Sequence, residues 1–305
     1  MKKLITTMGN LTREQAGILL PHEHVFVDLR TPGQEGHGQA DTADVIRLMV
    51  PFLQKARESG VGAIVDCGPA GVGRRADILK AVSTAAGFPL VVPTGVYREP
   101  WIPKWVLHAN EEHLEAWMLG ELTTGIEDTG VMAGFVKLSA GDDGITEQER
   151  KILIAASKAA KKAAAVIGSH TIRGRVVRDQ LDIMEKAGNA PENFIWIHTQ
   201  AEPDFRMHLE MAKRGVWIEY DGIGSGPDEQ YLSLIQSILD AGYGNRLLLS
   251  QDRGWYDPAK PMGGEPKPYT YLTDIFLPKL KKAIGPDAII MLTQENPFQA
   301  FAREV

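Results

Sequence analysis

Short apolar runs alternate with longer amphipathic segments along the whole chain. Eight runs rich in Val, Ile and Leu have the length and composition of strands, and helix-like segments separate them. Strands joined by helices run parallel, so this alternation predicts a parallel sheet. The predicted strands are residues 18–28, 63–67, 90–94, 134–138, 165–168, 194–198, 216–220 and 247–250. The predicted helices are residues 43–59, 75–86, 111–120, 147–162, 173–186, 203–213, 229–239 and 272–282.

Eight strand–helix units without a Pro-, Gly- or Ser-rich linker favour a closed (β/α)8 TIM barrel, formed as a single domain over residues 1–305. Closure leaves no strand edge unpaired, whereas a doubly wound open sheet, the structural alternative, keeps two edges. Local signals support the helix borders. Thr146 and Glu149 have the spacing of a capping box. Glycines that tolerate a positive φ end four of the helices, at Gly60, Gly87, Gly188 and Gly215.

Charge and cysteine content limit the classes of function. The 39 acidic and 33 basic residues give a formal net charge of −6, which offers no general attraction for nucleic acid or anionic lipid. The single cysteine, Cys67, cannot form an internal disulfide. No stretch approaches the roughly 20 apolar residues of a membrane span, and the N-terminus lacks an apolar signal region. We therefore expect a cytoplasmic protein with a small-molecule substrate and without nucleic-acid or membrane partners.

Four of the eight histidines stand at or just past the carboxyl ends of predicted strands, the face where barrel enzymes place their chemistry. His22 and His24 form a His-x-His pair, and alternate residues of a strand project from the same side. His170 and His198 follow the fifth and sixth strands. Taken alone, each of these histidines could equally well be a structural residue of the core whose ring nitrogens have hydrogen-bond partners. The remaining histidines are expected in loops or on helix surfaces: His37, His108, His113 and His208.

Asp252 and Lys137 complete a set of possible metal ligands. Asp252 follows the eighth strand, which neighbours the first after closure, and Lys137 lies inside an otherwise apolar strand. An unpaired ammonium is costly to bury there, so this lysine needs a partner or a modification, unless it snorkels to solvent at the strand end. A deprotonated amine can react with CO2 to form a carbamate that bridges two cations. With the four histidines, these residues predict a site for two divalent metal ions. Zn2+ suits such ligands, with Co2+, Mn2+ and Fe2+ as competitors.

Several motifs in order resemble the phosphotriesterase family of the amidohydrolase superfamily. These motifs are Met8-Gly9, Pro21-His22-Glu23-His24, Gly73-Arg74, Val82-Ser83, Thr94-Gly95-Val96-Tyr97, Lys137, Gly144-Ile145-Thr146, Ser169-His170-Thr171, Ile197-His198-Thr199, Ser250-Gln251-Asp252 and Glu295-Asn296-Pro297. The resemblance implies that His22, His24 and Asp252 hold the more buried metal ion. It assigns His170 and His198 to the more exposed ion. It also implies a homodimer, which is common in the family.

The same resemblance implies that Lys137 is carboxylated and bridges the two ions together with a hydroxide. Two ions that share a water lower its pKa and supply hydroxide near neutral pH. Asp252 can then take the water's proton, so no protein nucleophile is needed. The chain has no Gly-x-Ser-x-Gly elbow, and Cys67 is expected to be a small buried residue of the second strand.

Loop residues after the strands should set the specificity. Tyr97 stands where lactone-hydrolysing relatives carry a tyrosine, while Gly222 stands where the acyl-homoserine-lactone subgroup carries Arg, which argues against a quorum lactone. Tyr97 and Asp252 are the predicted catalytic residues. Solvated loop charges are the alternative for the cations among the expected substrate-binding residues, which are Arg98, Arg253, Trp255 and Lys267.

We therefore expect a metal-dependent hydrolase that opens a small lactone or ester, anionic or phosphorylated, with weak phosphotriesterase activity. The alternatives are an organophosphate triesterase (aryldialkylphosphatase), an amide or phosphoester hydrolase, and a barrel that binds its ligand without turnover.

Overall fold

Parallel strands and helices alternate in the computed structural model, which describes residues 1–304. The strands are β1 (Leu4–Thr6), β2 (Gly9–Leu11), β3 (Ile18–Phe26), β4 (Val61–Asp66), β5 (Leu90–Val91), β6 (Pro93–Thr94), β7 (Phe135–Ser139), β8 (Ile167–His170), β9 (Phe194–Ile197), β10 (Trp217–Tyr220), β11 (Leu247–Leu249) and β12 (Gly254–Tyr256). The α-helices are α1 (Arg13–Ala16), α2 (Thr42–Glu58), α3 (Ala76–Ala86), α4 (Lys104–His108), α5 (Glu111–Thr123), α6 (Glu147–Ala163), α7 (Gly174–Lys186), α8 (Phe205–Lys213), α9 (Asp228–Asp240), α10 (Leu277–Ile284), α11 (Pro286–Ile290) and α12 (Asn296–Phe301). Short π-helical segments precede α10 and α12, at Leu272–Phe276 and Met291–Glu295. Short 3-10 turns lie at Pro191–Asn193, Thr199–Ala201, Gly244–Arg246 and Pro261–Gly263.

The strand order is that of the predicted (β/α)8 barrel. Parallel ladders join β3 to β4 and β4 to β5, and a second series runs from β6 through β11. The third predicted strand is thus divided, because β5 pairs with β4 while β6 pairs with β7. The eighth position lies against β3, where β12 continues in parallel alignment with it.

The chain between β11 and β12, residues 250–253, replaces a regular ladder at the closure of the barrel. Two backbone hydrogen bonds join it to β3. The amide of Asp252 donates to the carbonyl of His22 at 3.3 Å, and the amide of His24 donates to the carbonyl of Arg253 at 2.9 Å. Parallel strands end at the same face of the sheet, so residues 250–253 lie beside the His-x-His pair.

Two apolar clusters occupy the two faces of the barrel wall. The outer cluster packs the strands against the helices, and the inner cluster fills the barrel. The strands contribute Leu19, Ala63, Val65, Val91, Phe135, Ile195, Ile197, Trp217 and Leu248 to the inner cluster. Because side chains alternate along a strand, an inward Phe135 places Lys137 inside the barrel as well.

Strand β3 departs from simple alternation. Leu19 belongs to the inner cluster and Leu20 to the outer one, so strict alternation would direct His22 and His24 outward. The pairing of β3 with β4 changes register between Leu20 and Glu23. An irregularity of this kind re-aims the side chains that follow it, and both imidazoles line the interior of the barrel.

Two further elements lie outside the predicted pattern and close the amino-terminal end of the barrel. The antiparallel hairpin of β1 and β2 brings Leu4 to the inner cluster, and the C-terminal helix α12 brings Phe301. The buried guanidinium of Arg303 donates to the carbonyls of Ala163 and Ala133, just before β8 and β7. Among residues 1–304, no helix combines the length and apolar character needed to cross a membrane.

The capping box at α6 is confirmed. The Thr146 hydroxyl accepts a hydrogen bond from the amide of Glu149, whose carboxylate accepts one from the amide of Thr146. Gly87 ends α3 at a φ of 59°, as a left-handed cap requires.

The prediction that His208 lies at the surface is wrong, because its side chain is 1% exposed. The carbonyl of Glu202 can only accept, so Nε2 of His208 donates to it at 3.0 Å, and the Tyr220 hydroxyl, 2.9 Å away, donates to Nδ1. Burial lowers the pKa of this imidazole. The helical spacing contained the signal, since Met211 and Ala212 lie on the same buried face of α8.

We predict that the buried neutral His208 makes the fold less stable as the pH falls. Its pKa lies below the ordinary value of 6.5 in the folded chain, so the unfolded chain binds the proton first. The contribution of neutral His208 to the free energy of unfolding is complete above about pH 6.5. Below that pH it is lost by up to about 1.4 kcal/mol per pH unit, until the pH reaches the pKa of His208 in the folded chain. Thermal midpoints measured from about pH 7.5 to about pH 5.5 should fall further for the wild type than for His208→Gln. Equal falls would contradict the assignment.

Candidate active site

One cavity of about 230 Å3 opens at the carboxyl ends of the strands. Its walls come from β3, β7 and β8 and from the residues just after β9 and β11. The cavity brings together all six residues that the sequence pattern groups as metal ligands: His22, His24, Lys137, His170, His198 and Asp252.

The four imidazoles form a continuous row across this cavity. The ring centres of His24 and His22 are 5.4 Å apart, those of His22 and His198 are 5.0 Å apart, and those of His198 and His170 are 4.4 Å apart. Burial lowers the pKa of His22 to about 4, and burial followed by the neighbouring His198 lowers the pKa of His170. Both rings are therefore held neutral, which is the form that binds a metal ion.

Asp252 faces the two histidines of β3. Its Oδ1 lies 3.6 Å from Nε2 of His22 and 3.1 Å from Nε2 of His24, and it is buried without a hydrogen-bond partner. Burial alone would raise the pKa of this carboxyl, but the two imidazoles outweigh burial and lower it. Since one potential ligand atom from each of the three residues lies within 4.8 Å of the others, the group fits a divalent cation.

Two buried carboxylates from the end of β10 orient the imidazoles from behind. Oε1 of Glu219 lies 2.9 Å from Nδ1 of His22, and Oδ1 of Asp221 lies 2.7 Å from Nδ1 of His198. A carboxylate accepts here, so Nδ1 carries the proton in each ring and Nε2 keeps its lone pair. Burial alone would lower the pKa of His198, but Asp221 outweighs burial and raises it.

The sequence pattern does not single out Glu219, Asp221 or Gln200, whose amide donates to Asp221. A signal was present, because Glu219 is a charged residue inside the apolar run 216–220, as Lys137 is in its own strand. His198 also depends on local geometry. It follows the inward-facing Ile197, and its left-handed backbone, at a φ of 65°, accompanies its placement at the cavity.

Lys137 does not snorkel to solvent, since its side chain lies within β7 and the residue is 2% exposed. Among residues 1–304, no carboxylate oxygen lies within 4.0 Å of its Nζ, and the ring of Tyr97 lies 5.9 Å away. Burial lowers the pKa of the amine. A buried amine without an anionic partner fits the modified form better than the ammonium.

Tyr97 and Trp255 complete the wall of the cavity. The Tyr97 hydroxyl lies 3.3 Å from Nδ1 of His170, and burial raises the pKa of the phenol, so that it stays protonated. The indole of Trp255 lies beside the ring of His24, with 5.6 Å between the centres.

A second cavity of about 300 Å3 shares Leu29, Asp252 and Trp255 with the first and is lined by Arg253 and Lys267. The Arg253 guanidinium donates to the carbonyl of Gly224 at 2.6 Å, and its buried Nε has no partner.

Arg98 lines neither of these two cavities. Its guanidinium donates to the carbonyl of Ala140 at 3.3 Å and lies 3.8 Å from a carboxylate oxygen of Asp142. The structure therefore brings three of the four expected substrate-binding residues to the paired cavities and directs Arg98 to the loop after β7.

A larger cavity, about 520 Å3, contains none of the six grouped residues. Two of its cations, Arg74 and Arg75, are each paired with a carboxylate, of Glu121 and Asp77 respectively. The chemistry of the site therefore belongs to the smaller cavity at the barrel mouth.

Comparison with known proteins identifies the family of this chain. The model of the phosphotriesterase family matches residues 2–301. The phosphotriesterase homology protein of Escherichia coli (strain K12) is 26% identical over 293 residues, which cover 94% of this chain and 99% of that protein. A mutant of the organophosphorus hydrolase from Deinococcus radiodurans superposes with a TM-score of 0.86 at 28% identity, covering 98% of this chain and 97% of the other.

A further solved structure concerns the molecular engineering of organophosphate hydrolysis activity from a weak promiscuous lactonase template. It superposes with a TM-score of 0.86 at 28% identity, covering 99% of this chain and 100% of the other. Because the family model matches nearly the whole chain, this protein belongs to the phosphotriesterase family of metal-dependent hydrolases.

Proposed function

We propose that this chain hydrolyses a small lactone or related ester, with weak phosphotriesterase activity, by means of two divalent metal ions. The observation that carries the proposal is the single cavity that joins four imidazoles, the unpaired oxygen of Asp252 and the buried Lys137. His22, His24 and Asp252 would hold one ion.

His170 and His198 would hold the other ion, and Lys137, as a carbamate, would bridge the two. Zn2+ fits this ligand set, with Co2+, Mn2+ and Fe2+ as competitors.

When bound, such ions would lower the pKa of a shared water and polarise the bond under attack. The chain's own groups do the rest. The Asp252 carboxylate, whose Oδ1 has no hydrogen-bond partner among the described residues, would accept the proton of the attacking water. The protonated Tyr97 hydroxyl, at the cavity wall beside His170, can donate to a substrate oxygen. Burial raises the pKa of the Cys67 thiol, which keeps it protonated and argues against a cysteine nucleophile.

The adjoining cavities support a substrate with an anionic substituent. A substrate whose reacting bond lies at Asp252 can extend past Trp255 towards Arg253 and Lys267. Arg253 lines the second cavity, where its Nη2 donates to the Gly224 carbonyl and its Nε has no hydrogen-bond partner. We propose these three residues as substrate-binding residues, and the role expected of Arg98, which lines neither cavity, stays a prediction.

The surroundings of Gly222 support the expectation that quorum lactones are not the substrate. A Cβ at this position would collide with the Tyr231 hydroxyl and would lie 3.0 Å from Nε2 of Gln200. An arginine therefore does not fit there without movement of these neighbours.

An organophosphate triesterase is the second candidate, favoured by the likeness to the organophosphorus hydrolase structure. An amide or phosphoester hydrolase, and a binding protein without turnover, are the remaining alternatives. A homodimer and a cytoplasmic location stay predictions.

The first prediction concerns the metal content. Wild-type protein purified with ample zinc should contain about two transition-metal ions per chain by elemental analysis. Lys137→Ala should lose at least one ion, because the bridging ligand is gone, and added propionate should restore it. Lys161→Ala, on the exposed face of α6, is the control and should keep both ions. The proposal is wrong if the wild type contains one ion or none and Lys137→Ala has the same metal content.

The second prediction concerns Asp252 as ligand and proton acceptor. Asp252→Asn keeps the shape of the side chain but removes the charge, so kcat should fall by about 10^2 or more. Circular dichroism and thermal melting should show an intact fold. Wild-type turnover in a folded, metal-replete variant would remove Asp252 from the mechanism.

The third prediction tests the substrate class. Metal-loaded protein should show a higher kcat/KM for at least one sugar lactone or phosphorylated lactone than for an aryl phosphotriester. The reason is that loop cations would be left without partners by a neutral triester. Asp252→Asn serves as the control that turnover arises in this cavity. If kcat/KM for the triester is higher than for every lactone tested, the organophosphate triesterase replaces the lactonase as the proposed function.

A further inference from the structure

Asp252 has a backbone conformation that residues other than glycine rarely adopt. Its φ is 51°, in the left-handed region, and it lies where residues 250–253 interrupt the barrel wall between β11 and β12. A non-glycine residue persists there only when its surroundings hold it. The position of the Asp252 carboxylate therefore depends on whatever fixes this turn.

Glu23 contacts the turn from both sides of Asp252. It lies between the two histidines of β3 and is 0% exposed. Its Oε2 accepts a hydrogen bond from the amide of Arg253 at 2.7 Å, and its Oε1 accepts one from the amide of Gln251 at 3.2 Å. The Ser250 hydroxyl also donates to Oε1, at 2.8 Å. One carboxylate thus binds the backbone amides of the residues immediately before and after Asp252.

We propose that Glu23 is a positioning residue for Asp252. Its carboxylate holds the left-handed turn and thereby keeps Oδ1 of Asp252 opposite Nε2 of His22 and His24. Glu23 itself lines no part of the cavity, so it acts through Asp252 and not on a ligand. The positioning claim stands on the turn alone, and only its kinetic consequence rests on the proposed function.

The hydrogen-bond pattern requires an acceptor at each side-chain oxygen of Glu23. Both oxygens are used as acceptors, by three donors in total. In Glu23→Gln one oxygen becomes an NH2 group that can only donate, so at least one backbone amide faces another donor. The size of the side chain is unchanged, which isolates the loss of the acceptor.

Amide hydrogen exchange tests the positioning without any need for activity. In Glu23→Gln the amides of Gln251 and Arg253 should exchange at least about tenfold faster than in the wild type. Glu121→Gln is the matched control. It makes the same change at a buried carboxylate bound to Arg74 and Thr94, and should leave exchange at residues 250–253 unaltered.

A double-mutant cycle separates positioning from general stability. Glu23→Gln should lower kcat by about 10- to 100-fold and change KM less. A loss of this size is typical when a residue that orients a metal ligand is replaced. In the Asp252→Asn background the same change should lower kcat by less than about twofold, because the residue it positions has already lost its charge. Losses that multiply would show that Glu23 is merely structural.

Each outcome decides the inference. Unaltered exchange at Gln251 and Arg253 in folded Glu23→Gln overturns it. If that variant does not fold, Ser250→Ala removes one of the three donors and should still accelerate exchange at both amides; no acceleration overturns the inference. If the wild type hydrolyses nothing, the proposed function fails, and the exchange result alone decides the role of Glu23.

Discussion

Placing polar side chains inside an apolar barrel is the constraint on which the rest of this structure depends. Each buried imidazole, carboxylate or amine costs free energy unless its polar atoms find partners. Below the cavity, the inner cluster meets this constraint with apolar residues such as Phe135 and Leu248. At the cavity, Glu219 provides the hydrogen-bond partner for Nδ1 of His22, and Asp221 provides the partner for Nδ1 of His198. The amine of Lys137, which lacks an anionic partner, and Oδ1 of Asp252, which lacks a hydrogen-bond partner, both face the cavity.

Regular periodicity made a large part of this arrangement predictable. The alternation of apolar runs and amphipathic segments predicts the barrel strands and the main helices. Strand alternation also places Lys137 and His170 inside the barrel, because Phe135 in β7 and Val166, just before β8, already face inward. The single-domain organisation over residues 1–305 stays a prediction.

The remainder depends on local irregularities that tertiary contacts impose. His22 and His24 face the cavity beyond a register change in β3, while His198 and Asp252 stand at left-handed positions. No sequence signal marks these turns, since none of the residues is a glycine and the hydrogen bonds that hold them come from distant strands. Loop geometry is equally hidden, as the bond from Arg253 to the Gly224 carbonyl illustrates.

The division of the third strand into β5 and β6, together with the interruption at residues 250–253, splits the barrel wall into two arcs. One arc contains four strands, including β3 and β12, and the other contains six, from β6 to β11. His22 and His24 belong to the smaller arc, and Lys137 and His170 to the larger one. An ion cluster bound by all four of these residues would connect the two arcs. Occupancy of the site and closure of the barrel would then be thermodynamically linked, so that each stabilises the other.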